Sequence, residues 1–178
     1  NPTFFRAAIS SDEASGAFTG NNLTSINQDI QVRFASTGNI SITGNTFNLG
    51  GVEIGDPNAG AGSIDISNNT FNVANGAAYN NALRLKNNYA ARTTTVSGNT
   101  FLGHEWGISM ENYQNVTING NSFTPIAAST TYRHITVNTK EFSSASGFYP
   151  PAVGATITNN TFFGSGAPGG IGLAFYNG

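Results

Sequence analysis

The sequence predicts an all-β chain, a right-handed parallel β-helix of about six to seven coils with three short strands per coil. Three observations carry that prediction. A motif ending in Asn-Thr-Phe or Asn-Ser-Phe recurs five times, a second alternating apolar segment follows each copy, and the composition disfavours helix.

The motif reads Ile40-Ser-Ile-Thr-Gly-Asn45-Thr-Phe47, Ile64-Asp-Ile-Ser-Asn-Asn69-Thr-Phe71, Thr94-Thr-Val-Ser-Gly-Asn99-Thr-Phe101, Val116-Thr-Ile-Asn-Gly-Asn121-Ser-Phe123 and Ala155-Thr-Ile-Thr-Asn-Asn160-Thr-Phe162. A weaker copy, Phe18-Thr-Gly-Asn21-Asn-Leu23, precedes them. The spacings between successive asparagines are 24, 24, 30, 22 and 39 residues, as expected of one-coil units carrying loops of variable length. The second segment reads Ile30-Gln-Val-Arg-Phe34, Val52-Glu-Ile54, Leu83-Arg-Leu-Lys86, Ile108-Ser-Met-Glu111, Ile135-Thr-Val-Asn138 and Ile171-Gly-Leu-Ala-Phe175. Alternation of apolar and polar residues marks a strand with one buried face. The Thr-Phe step after each asparagine supplies the short third strand.

Composition agrees. Of 178 residues only 9% are charged, while 25 are Asn and 22 Gly, which suits turns and strands rather than helices with charged surfaces. The 38% hydrophobic content, including 13 Phe, is too high for a disordered polar tract. Strands this short are unstable alone, so the coils are expected to stack in register as a single domain over 1–178. Phe47, Phe71, Phe101, Phe123 and Phe162 then form one inward column, and Ile42, Ile66, Val96, Ile118 and Ile157 another.

The stretch Gly107-Ile-Ser-Met-Glu-Asn-Tyr-Gln-Asn-Val-Thr-Ile-Asn-Gly-Asn-Ser-Phe123 resembles the coil repeat of the pectin-lyase-like superfamily of right-handed parallel β-helices, a likeness that runs from about residue 18 to the end. The resemblance implies the fold. It also draws attention to the outer face of one parallel sheet, where enzymes of that superfamily acting on acidic polysaccharides place their cleft.

Three groups of residues are candidates for function. The asparagine column Asn21, Asn45, Asn69, Asn99, Asn121 and Asn160 is expected to be a structural ladder, with Asn accepting the left-handed backbone of a tight turn and its amide bonding to the next coil. The outward positions of the second segment carry Arg33, Glu53, Arg84, Lys86 and Glu111, expected to be a solvated, mutually paired face. On the resemblance, Arg84 or Lys86 would be the base of a lyase, beside Glu53, Asp56 and Glu111; the superfamily's catalytic signatures are absent. In the loops, His104-Glu105-Trp106 offers a general base and a sugar-stacking ring, and Tyr132-Arg133-His134 is placed to approach it. The insertions 56–63, 74–81 and 139–154 are further loop candidates.

Other classes are excluded or disfavoured. A net charge of −2 without a basic stripe argues against nucleic acid. The absence of Cys, only two His and no recurring carboxylates leave no metal or cofactor site to expect. No apolar run is long enough for a membrane span. Flat Thr-x-Thr rows suited to ice reduce to Thr93-Thr94-Thr95 and scattered Thr117, Thr156 and Thr158. The last segment opens a coil without completing it, so a segment of a longer chain, or end-to-end pairing of copies, is expected. The leading expectation is thus a non-enzymatic extracellular or cell-surface module, structural or adhesive, with a polysaccharide or other surface ligand as partner. The alternative is a lyase or epimerase on acidic polysaccharide.

Overall fold

A computed structural model describes residues 7–12, 15–24, 28–33, 38–55, 62–73, 81–88, 92–113, 115–138, 143–144, 147–148 and 154–176. Each coil contributes one strand to each of three parallel sheets. The first coil is β1 (Ala7–Asp12), β2 (Gly16–Thr19) and β3 (Asn22–Thr24), and the second is β4 (Gln28–Arg33), β5 (Ile40–Thr43) and β6 (Thr46–Asn48). The third coil is β7 (Val52–Gly55), β8 (Ser63–Ser67) and β9 (Thr70–Asn72). Next come β10 (Asn81–Asn88), β11 (Thr93–Ser97) and β12 (Thr100–His104), then β13 (Trp106–Tyr113), β14 (Val116–Asn119) and β15 (Ser122–Pro125). The sixth coil holds β16 (Arg133–Asn138), the small hairpin β17 (Ser143–Ser144) and β18 (Gly147–Phe148), then β19 (Ala155–Thr158) and β20 (Thr161–Phe162). Strand β21 (Ile171–Tyr176) opens a seventh.

The first sheet runs β1-β4-β7-β10-β13-β16-β21, the second β2-β5-β8-β11-β14-β19 and the third β3-β6-β9-β12-β15-β20. This is a right-handed parallel β-helix. It begins one strand earlier than the repeat suggests, because Ala7-Ala-Ile-Ser-Ser-Asp12 pairs with β4 through Ile9 and Ile30. Apart from one extra residue within β12, the changes in coil length fall at the turns from the first sheet to the second or from the third to the first. The turn from second to third sheet is always two residues, Gly20-Asn21, Gly44-Asn45, Asn68-Asn69, Gly98-Asn99, Gly120-Asn121 and Asn159-Asn160.

The core is built from columns in register. Phe47, Phe71, Phe101 and Phe123 are fully buried, and successive rings from Phe47 to Phe162 lie 4.9, 4.8, 4.6 and 5.2 Å apart. Ile42, Ile66, Val96 and Ile118 pair across the second sheet and are likewise sealed from solvent. A further row, Ile40, Ile64, Thr94 and Val116, includes a polar member, Thr94, whose hydroxyl lies 2.7 Å from that of buried Tyr113. Burying the four interior phenylalanines contributes roughly 1.5–3 kcal/mol each, with roughly 0.5–1.5 kcal/mol more per ring pair.

Candidate functional site

The asparagine column is a continuous hydrogen-bonded ladder. With Asn160 ending the series as acceptor, each ladder asparagine from Asn21 to Asn121 donates from its side-chain Nδ2 to the Oδ1 of the asparagine one coil on, at 2.9 to 3.0 Å. The backbone N–H of the same residue donates to that same Oδ1 at 2.9 Å. The second Nδ2 proton goes to a second-sheet carbonyl one coil back, from Asn69 to Ile42, from Asn99 to Ile66 and from Asn121 to Val96. An amide has two donors and two acceptor lone pairs, so these side chains are saturated. The left-handed backbone, however, belongs to the residue before: φ is positive at Gly20, Gly44, Asn68, Gly98, Gly120 and Asn159, and at none of the ladder asparagines. The expectation that one asparagine makes both turn and ladder is therefore corrected. The preceding residue bends the chain and frees the ladder amide to lie along the axis.

The outer face of the first sheet gathers the expected charged residues. Register sets Arg84 beside Glu53 and Lys86 beside Glu111. Arg84 bonds Glu53 at 3.5 Å and Glu111 at 3.1 Å, while Lys86 bonds Glu53 at 3.1 Å. Each of the two cations is thus bonded to a carboxylate; the side chain of Arg33 lies outside the described residues. The face is less solvated than expected: the Glu53 side chain is only 5% exposed beneath Arg84 and Lys86, and neighbouring Ser109 and Thr136 are buried. Asp56 and most of the three insertions lie outside the described residues.

His104 and His134 do come together, but inside the wall. The sequence places His104 in a loop; it is the last residue of β12, where the register shifts between Leu102 and His104 around left-handed Gly103. That bulge reverses the alternation and turns the imidazole inward, fully buried at the edge of the Phe101 and Phe123 rings. His134 Nε2 donates to the Phe163 carbonyl at 3.0 Å, so its Nδ1 accepts from His104 Nε2 at 2.9 Å. The Nδ1 of His104 is left without a partner. Burial, reinforced by His134, pushes His104 down to about 3, and burial also lowers His134. Both are neutral at ordinary pH and shielded from any polymer. Trp106 is exposed beside them, with one ring face under the Arg133 guanidinium at 5.7 Å.

No known protein family, curated protein or solved structure matches the chain. The site is therefore read from its own residues. Among the described residues no three of His, Cys, Asp and Glu gather as a metal site would require, and no helix is long and apolar enough to cross a membrane. One buried residue had no signal in the repeat: Arg92 is 1% exposed at the corner before β11, and its Nη2 donates to the Gly38 carbonyl two coils away. Burial holds its guanidinium below the ordinary range. It ties the fourth coil to the second.

Proposed function

We propose that the chain is a non-enzymatic structural and adhesive β-helix module of a secreted or surface protein. The observation that carries this reading is the ion-pair network in which Arg84 and Lys86 are both bonded to Glu53 or Glu111. A lyase or epimerase needs a basic side chain that can lose its own proton and so accept one from the substrate, which pairing to a carboxylate opposes, and surplus positive charge to hold a uronate. Here both cations are bonded to carboxylates, and the two histidines are enclosed in the core. The repeat's likeness to the pectin-lyase-like superfamily is then one of scaffold.

The reading is tested by incubating the protein with polygalacturonate and with alginate and following formation of the unsaturated uronate. No turnover is expected. Turnover abolished by Arg84→Ala or Lys86→Ala would overturn it in favour of the lyase or epimerase.

End-to-end self-association belongs to the same proposal. Phe162, Phe163, Ile171, Leu173 and Phe175 are exposed on and around β20 and β21, a concentration of apolar surface. Sedimentation should give particles larger than one chain, dispersed by Leu173→Lys; a monomer at all concentrations would count against association while leaving the non-enzymatic reading intact.

A further inference from the structure

We infer that the outer face of the second sheet, over the fourth to sixth coils, is a binding groove for an uncharged, extended polysaccharide. The inference rests on the adhesive reading and names its ligand.

The threonines that look scattered in the sequence are aligned in space. Register brings Thr95, Thr117 and Thr156 side by side on β11, β14 and β19. With Thr93 and Asn115 they line a groove of about 390 Å³, within the range of small-ligand sites, roughly 300–1,000 Å³. The four threonines are exposed, and among the described residues their hydroxyls make no hydrogen bond within the protein. The adjoining outward column differs. There Ser67 donates to Asp65, and Thr158 donates to Asn119.

Charge and spacing choose the ligand. Asp65 is the only charged residue on any strand of the second or third sheet, and it lies on β8, outside the groove. An anionic polymer would find no counter-charge there, whereas sugar hydroxyls meet side chains that both donate and accept. Successive rungs stand about 4.8 Å apart, close to the advance of one residue in an extended β-linked sugar chain. A glycan lying parallel to the helix axis thus meets a matching hydroxyl at each coil, with the threonine methyls against its C–H faces. The floor is a groove three rungs long, which fits a chain better than a crystal plane such as ice.

The test is electrophoresis of the protein through gels containing hydroxyethylcellulose, glucomannan or xylan, with polygalacturonate as the anionic comparison. Retardation by at least one neutral glycan is expected, weakened roughly tenfold or more in Thr117→Arg, a step equal to about 1.4 kcal/mol. Arg84→Ala should leave it unchanged. Should Thr117→Arg lower the melting temperature, Thr95→Lys on the neighbouring rung gives the same readout. Absence of retardation in all three neutral glycans overturns the inference, as does retardation that Thr117→Arg and Thr95→Lys leave intact, or binding confined to polygalacturonate. Cleavage of a glycan would overturn the non-enzymatic reading instead, so the two failures are distinct.

Discussion

Asn99 Oδ1 accepts two hydrogen bonds from one residue, Asn69: one from its backbone N–H and one from its side-chain Nδ2, both at 2.9 Å. Truncating Asn99 therefore strands three groups at once, the two donors of Asn69 and the carbonyl of Ile66, while the Oδ1 of Asn121 keeps only its bond from the Asn99 backbone N–H. Each buried unsatisfied group costs about 1–3 kcal/mol. Asn99→Ala should destabilise the fold by at least about 3 kcal/mol in urea unfolding. Asn99→Asp, equal in shape, should also be destabilising, because it loses the donor to Ile66 and faces the Asn121 oxygen. A loss under about 1 kcal/mol for both would show that the ladder adds little stability.

Gly120 separates backbone from packing. Its φ is +66° and a Cβ there meets nothing within 4 Å. Gly120→Ala should then cost about 1 kcal/mol through the left-handed backbone alone. Gly120→Asn should cost less than Gly120→Ala, since Asn68 and Asn159 hold the same station in other coils. Melting temperatures of the two variants decide it, and equal losses would refute the division between turn and ladder residues.

Phe101 lies between two nearly parallel rings, at 4° to Phe71 and 2° to Phe123. Phe101→Ala should cost about 3–5 kcal/mol, and Phe101→Leu less, because the cavity is smaller though both stacking contacts are still lost. Denaturant unfolding with an unchanged m-value would confirm loss of packing rather than a change in the unfolded chain.

The histidine pair makes stability depend on pH. The folded protein holds His104 near 3, against about 6.5 in the unfolded chain. Below about pH 6.5 the unfolded state binds more protons, so stability is fully present above that value and falls with pH toward 3. His104 alone should remove about 2 kcal/mol between pH 7 and pH 5, with His134 acting in the same direction. Urea unfolding across this range should show the slope, and His104→Leu should flatten it. A flat profile in the unsubstituted protein would contradict the neutral, buried pair.

The columns were legible because each coil repeats the same residue type at the same station, as in Phe47, Phe71, Phe101 and Phe123. The strand β1 was not, since Ala7–Asp12 contains one large apolar residue and no alternation. Asn68 and Asn69 explain the misassigned turn: identical side chains stand in adjacent positions, one bending the backbone and the other forming the ladder. His104 was visible as a titratable group, but its burial depends on a bulge that no periodicity reveals. The groove was hidden for the opposite reason. Thr95, Thr117 and Thr156 lie far apart along the chain, and only the register of three coils makes them neighbours.

The invariant two-residue turn also governs how such a protein can be rebuilt. Because this turn keeps its length in every coil, excising the 24 residues between equivalent points of the Asn45 and Asn69 motifs would rejoin like to like and shorten the rod by one rung. Lengthening a loop at either variable corner would decorate the surface without shifting any column. The scaffold thereby separates what must be kept from what is free to diversify, coil by coil.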